Sequence, residues 1–193
     1  MRSARVCLVA LMMLPTLSRA QGPVFAIDRA TSSIQFHVKA SVDLTGTFEK
    51  WNAALKFAST DVTTGALDIK IQAASVDTGS GMKDGKLKSK DFFNVKQDPF
   101  ITFHATKVEQ TGPTTFDMPG TFTIRGVSRP ETLQLVLEGK GTGSGAVKGT
   151  MAFDRKDYGM DSGIPFIKIA DRVEVTIDLT GRRVSGPALV FKE

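Results

Sequence analysis

The sequence predicts an all-β fold of antiparallel strands, a sandwich or a barrel, and two observations carry that prediction. Apolar and polar residues alternate over short runs along most of the chain, and this period of two puts one face of each strand in the core and the other in water. Glycine, asparagine, aspartate and proline punctuate the runs at short spacing, as hairpin connections require. No internal repeat and no second long apolar segment is present.

The first twenty residues stand apart. Arg2 and Arg5 precede an apolar run from Val6 to Leu14, and Ser18-Arg19-Ala20 places small residues three and one before a cut after Ala20. This is the make-up of a cleaved secretory signal, and the run is too short to span a bilayer. Residues 1–20 are expected to be removed on export to the periplasm, or on secretion from a host that lacks one. Residues 21–193 then form one domain, with its barrel over about 24–181 and a tail over 182–193. Loss of a segment with three arginines and no acid takes the net charge from +5 to +2, leaving 22 of the 25 basic residues against 20 acidic ones. Such a small excess is not the basic face that a nucleic acid needs, and nucleic acid is excluded as a partner. Cys7, the one cysteine, opens the apolar run rather than following it, which argues against lipid modification and leaves the mature chain without thiols. Its core must hold it together unaided, and about 173 residues suffice for one core.

Strands are predicted in order. Ile34, Phe36 and Val38 alternate across Ser33–Lys39, and Leu67, Ile69 and Ile71 across Leu67–Ala73. The pattern then breaks over Lys83–Glu109, where five lysines within residues 83–96 surround the adjacent Phe92 and Phe93 and precede Pro99. Met82, Leu87 and Phe92 could support one or two helical turns, interrupted by Gly85. Alternation resumes over Phe100–Thr106, Thr121–Arg125 and Leu133–Leu137. Gly139–Gly145 has the look of a phosphate loop, but such a loop feeds a helix N-terminus. The residues that follow it, Ala146–Phe153, alternate as a strand, so a flexible hairpin is predicted. Arg172–Thr180 carries Val173, Val175, Ile177 and Leu179 on one face. From Gly181 alternation is lost and Pro187 follows, the mark of a tail lying on the surface.

Few residues offer catalytic chemistry. His37 and His104 each alternate with the apolar positions of their strands and so face solvent, and neither has a second histidine or a cysteine nearby. No metal site is expected, since a site gathers three or four ligands. No G-x-S-x-G elbow accompanies the histidines. Val76-Asp77-Thr78-Gly79-Ser80 matches the Asp-Thr-Gly-Ser of aspartic proteases, which would require a homodimer to pair two Asp77 carboxyls. The competing and preferred reading is a strand end at which Asp77 accepts backbone N–H bonds and Gly79 takes a positive φ. What remains is apolar surface, supplied by thirteen phenylalanines. If the strands close into a barrel of about eight, its interior either fills with side chains or holds one small ligand.

Short motifs recur in a specific order: Ile27-Asp28 with Ser32-Ser33-Ile34-Gln35-Phe36, the Gly46-Thr47-Phe48 turn, Ser75-Val76-Asp77-Thr78-Gly79, and Asp84 through Leu87 with Ser89, Asp91-Phe92-Phe93, Pro99 and Ile101-Thr102-Phe103. Thr123-Ile124-Arg125-Gly126-Val127-Ser128-Arg129-Pro130, Asp154-Arg155-Lys156-Asp157-Tyr158-Gly159-Met160 and Ala170-Asp171-Arg172-Val173 follow. In this order they resemble the YceI-like family of periplasmic polyisoprenoid-binding proteins, from about Phe25 to Leu179. The resemblance implies an antiparallel eight-stranded lipocalin-like barrel with a short helical crossover capping one end. The non-alternating stretch is then a lid, with Phe92 and Phe93 turned to the lumen and the lysines outward. Thr31 and Ala40 stand where members often carry histidines, and Lys86 replaces a common histidine of the crossover.

That resemblance implies a lipid carrier and no enzyme: a long-chain isoprenoid, a polyprenyl phosphate or a quinone, held in an apolar lumen without cofactor or metal. Phe36, Phe48, Leu87, Phe92, Phe93, Phe103, Ile124, Leu135, Phe153 and Tyr158 are the expected lumen and lid contacts. Lys83, Lys86, Lys88, Lys90 and Arg155 are the expected head-group contacts. No integral membrane segment is expected in the mature chain, only transient contact with a membrane. The alternatives are a homodimeric aspartic-type protease or other hydrolase, and a structural barrel with a filled lumen.

Overall fold

The computed structural model describes residues 22–163 and 169–192; residues 1–20, expected to be a cleaved signal, and Cys7 within them lie outside the described residues. Its strands are β1 (Val24–Ala40), β2 (Leu44–Phe48), β3 (Trp51–Phe57), β4 (Gly65–Gln72), β5 (Val76–Asp77), β6 (Phe100–Ala105), β7 (Glu109–Gln110), β8 (Thr115–Ile124), β9 (Val127–Glu138), β10 (Ser144–Asp154) and β11 (Ile169–Ser185), with one helix, α1 (Gly81–Lys88). Antiparallel neighbours run β11-β10-β9-β8-β6-β4-β3-β1, and β11 returns to β1, so the sheet closes into an eight-stranded barrel. Closure removes the sheet edges that an open sheet would expose.

The two seventeen-residue strands β1 and β11 form the seam, with Phe36 opposite Val175 and Val38 opposite Val173. A bulge interrupts their register between Asp28 and Ser33. There the Arg29 guanidinium swings onto Trp51, 4.7 Å from the ring centroid, and donates to the carbonyls of Glu49 (3.2 Å) and Trp51. These carbonyls flank the break between β2 and β3, which follow one edge of β1 in turn. The bulge and the break thus stabilise each other. β11 continues to Ser185, past the expected end of the barrel, because its outer half still pairs with the start of β1, Arg183 opposite Phe25.

Gly46-Thr47-Phe48, expected as a turn, lies inside β2, and the chain reverses earlier, over residues 41–43. Glycine is needed there for space: a Cβ on Gly46 would sit 2.5 Å from the Phe36 ring on the neighbouring strand. The Gly139–Gly145 stretch is the β9–β10 hairpin, as expected, with positive φ at Gly139, Gly141 and Gly143. The strand-end reading of Asp77 also holds, since its Oδ1 accepts from the Gly79 N–H at 2.8 Å and Gly79 has φ 73°.

Between β5 and β6 the chain leaves the wall and crosses one end of the barrel. Asp84 fixes the start of this crossover, accepting from both the N–H (2.9 Å) and hydroxyl (2.7 Å) of Thr78. α1 stops at Ser89, whose hydroxyl donates back to the Lys86 carbonyl at 2.7 Å. The Phe93 N–H then donates to the Leu87 carbonyl at 2.9 Å, which folds the two phenylalanines under the helix.

Candidate functional site

The inward faces of the strands do not fill the barrel evenly. Ile69, Phe103, Met118, Leu133 and Met151 are buried in its core, with Met118 and Leu133 fully enclosed. At the lid end lies a cavity of 460 Å³, and at the opposite end one of 160 Å³, with no lining residue in common. The larger one has walls from β1 (Ile34, Phe36, Val38), β8 (Phe122, Ile124), β10 (Phe153) and β11 (Val173, Val175), and a roof of Leu87, Phe92 and Phe93 from the crossover. Phe93 packs on Phe36 and Phe48 at ring-centroid distances of 6.4 and 5.9 Å. Its size falls within the range of ordinary small-molecule sites, about 300–1,000 Å³.

Three charged residues enter its lining. Lys83, Lys86 and Arg155 are the charged residues of the lining. Lys86 Nζ donates to Asp91 Oδ2 at 2.6 Å and lies 5.8 Å from the Phe92 ring centroid. That bond holds the Asp91 carboxyl below the usual carboxylate range. Lys83 makes no ion pair among the described residues.

The sequence model of the YceI-like domain matches residues 25–181. The chain belongs to the YceI family. It is 28% identical to a UPF0312 protein of Azotobacter vinelandii over 145 residues, 72% of this chain and 74% of the relative. Its fold matches the crystal structure of Burkholderia cenocepacia BcnA with a TM-score of 0.73 at 24% identity, covering 80% of this chain and 99% of BcnA. A polyisoprenoid binding domain from Saccharophagus degradans, implicated in plant cell wall breakdown, matches with a TM-score of 0.67 at 18% identity, covering 83% and 99%.

In this YceI barrel, seven of the expected lumen residues meet at one cavity: Phe36, Phe48, Leu87, Phe92, Phe93, Ile124 and Phe153. Three do not. Phe103 is buried but borders neither cavity. Leu135 points inward but lines the far cavity, because β9 turns Arg129 and Glu131 rather than aliphatics toward the lid end. Tyr158 is fully buried behind the wall, its ring 5.6 Å from Phe122 and 5.1 Å from Phe153. Lys88 lies off the cavity, and Lys90 belongs to a separate polar depression with Arg125 and Asp161. Val42, Leu44, Met82, Met160 and Ile169 also line the cavity and were not expected. Val173 and Val175 could have been, from the alternation of their strand alone.

Arg155 is 7% exposed, and its donors are committed to the wall. Nε donates to the Ala170 carbonyl (3.2 Å), Nη1 to the carbonyls of Ser162 (3.0 Å) and Met160, and Nη2 to Asp171 Oδ1 (3.0 Å). Lys156 Nζ donates to the other Asp171 oxygen at 2.7 Å and, with Arg155, holds that carboxyl below its usual range. The histidines lie on the outer surface as alternation requires, His37 3.4 Å from Asp43 and His104 2.5 Å from Asp68. Among the described residues, no group of three or more His, Cys, Asp or Glu could hold a metal ion.

Tyr158 yields a direct prediction. Burial, reinforced by donation of its hydroxyl to Glu131 Oε1 at 3.0 Å, raises its pKa far above the ordinary value of about 10. Since it is the chain's one tyrosine, phenolate absorbance reports this site alone. The folded protein is expected to show none at pH 10–11, whereas the urea-unfolded chain titrates near the ordinary value. Because the folded state keeps a proton that the unfolded state releases, stability falls as pH rises above about 10. Tyr158→Phe removes this part of the alkaline loss, and titration of the folded chain at the ordinary value would refute the burial argument.

Proposed function

We propose that this YceI protein is exported and carries a long-chain isoprenoid, its tail in the lid-end cavity and its head group at the mouth beside Lys83 and Lys86. The observation that carries the reading is the pairing of two chemistries in one site: apolar walls of aromatic and branched side chains, and ammonium groups in the same lining. Burial of methylenes contributes roughly 0.8 kcal/mol each, so two or three isoprene units supply on the order of 8–12 kcal/mol before entropic costs. This force has no direction, so the tail gives affinity and the mouth gives selectivity. The fold neighbour described as a polyisoprenoid binding domain supports the same ligand class. The reading assigns no reaction to the protein.

Organic extraction of protein purified from its own host, followed by mass spectrometry, tests it. An isoprenoid lipid in near-equal molar amount is the expected result. A clean extract, together with no saturable binding of a polyprenyl phosphate or a long-chain quinone, would overturn it. Lys83→Gln with Lys86→Gln is expected to weaken the phosphate by about tenfold at low salt and leave the quinone nearly unchanged, since each exposed ammonium contributes at most about 1 kcal/mol. Export is tested separately by N-terminal sequencing of envelope material, where Gln21 is expected and Met1 would refute cleavage.

A further inference from the structure

Met82, 87% exposed, and Val42, 69% exposed, are the two most exposed large hydrophobic residues among the described ones. They come from different elements, the first turn of α1 and the β1–β2 hairpin, yet both line the mouth of the same cavity. An apolar side chain left in water at one such tip needs no explanation; two from separate elements that line one cavity form a lip. The charges of the two segments that carry these tips, residues 39–44 and 81–91, are unbalanced in one direction. The acids of residues 39–44 and 81–91 are Asp43, Asp84 and Asp91, and each is already engaged. Asp43 accepts from the Ala40 N–H at 3.3 Å and lies 3.4 Å from His37. Asp84 accepts from Thr78, and Asp91 is paired with Lys86. Lys39, Lys83, Lys88 and Lys90 of the same segments form no ion pair among the described residues.

We propose that this lip is a docking surface for an anionic phospholipid bilayer, with Met82 and Val42 entering the interface and the unpaired lysines meeting lipid phosphates. Short apolar tips on segments with an excess of lysine match such an interface: the tips gain by leaving water, and basic residues are drawn to the negative surface within a Debye length. Docked in this way, the cavity opens onto the acyl layer. An apolar cargo would then pass between bilayer and barrel without crossing water. The surface does not depend on which lipid the cavity holds.

The test is co-sedimentation of protein recovered from the host envelope with phosphatidylglycerol–phosphatidylcholine vesicles and with phosphatidylcholine vesicles, none containing isoprenoid, at low and high salt. The wild type is expected to bind the anionic vesicles at low salt and to be released by high salt. Val42→Ser with Met82→Ser keeps the melting temperature, both side chains being exposed, and loses roughly tenfold in partitioning. Lys83→Gln, Lys88→Gln and Lys90→Gln together lose tenfold or more on anionic vesicles and nothing on neutral ones. Wild-type protein that ignores the anionic vesicles, binds both kinds equally, or binds no better than the two variants would overturn the proposal. Capture of an envelope protein by this lip in place of vesicle binding would overturn it as well.

Discussion

Phe93→Ala is expected to cost about 3 kcal/mol of folding stability and to weaken any long-chain ligand whatever its head group. Phe93 is buried where the crossover meets β1 and β2, its ring edge-on to Phe36 and tilted against Phe48. Truncation of a buried phenylalanine typically costs about 3–5 kcal/mol, through lost transfer energy and the void left behind. The lower end applies because one side of the ring already faces the 460 Å³ cavity and has fewer atoms to lose. Urea unfolding of the empty protein measures this directly. Phe93→Leu, which retains most of the apolar volume, should lose only about 1 kcal/mol. Added ligand then separates structure from binding, since its stabilisation grows with the ratio of concentration to dissociation constant, and this increment should shrink in Phe93→Ala. A loss below 1 kcal/mol with undiminished ligand stabilisation would mean that the crossover does not close the barrel.

The lid illustrates what a sequence can and cannot convey. Five lysines beside two phenylalanines mark a segment that is wet on one side and apolar on the other, and both phenylalanines are indeed buried. Adjacent residues of a strand would face opposite ways, so their joint burial depends on the turn set by the Phe93 bond to Leu87. Alternation reported the inward residues of β1, β4, β6 and β11 correctly, because a period of two is a local property. It reports which face a side chain takes but not its depth along the barrel. Depth follows from inter-strand register: Leu135 lies opposite Phe116 and Gly149, at the far end, and so misses the lid cavity. β2 and β3 were hidden for another reason. Glu49-Lys50 interrupts them, Ala53-Ala54 blurs the pattern, and the glycine that reads as a turn is there to admit a neighbouring ring. The tail was legible only as a loss of pattern. Its docking over the far cavity rests on pairing with distant groups, the Val190 N–H to the Thr60 carbonyl at 2.7 Å and Phe191 against Phe116.

Arg155→Met is expected to destabilise the protein by about 3 kcal/mol, although Met preserves most of the side chain's apolar stem. The loss comes from the acceptors left behind: the carbonyls of Met160, Ser162 and Ala170 lose their donor together, at a wall where water has little access. Leaving buried acceptors unpaired costs about 1–3 kcal/mol each when access is fully denied, and breaking a buried charged pair costs about 3–5 kcal/mol. Asp171 moderates the total, because it is partly exposed and keeps Lys156. The acid dependence should follow the carboxylate rather than the arginine. The folded pKa of Asp171 is depressed, first by the Lys156 bond, so the stability it contributes is present above the ordinary value of about 3.9 and is lost as pH falls through the folded value. Lys156→Gln should therefore flatten the acid limb of the stability curve more than Arg155→Met does, and Asp171→Asn should flatten it most. Urea midpoints between pH 2 and pH 7 for these three variants and the wild type provide the measurement. A small loss in Arg155→Met at neutral pH would show that solvent reaches those carbonyls, and would reassign the guanidinium from the wall to the mouth of the cavity.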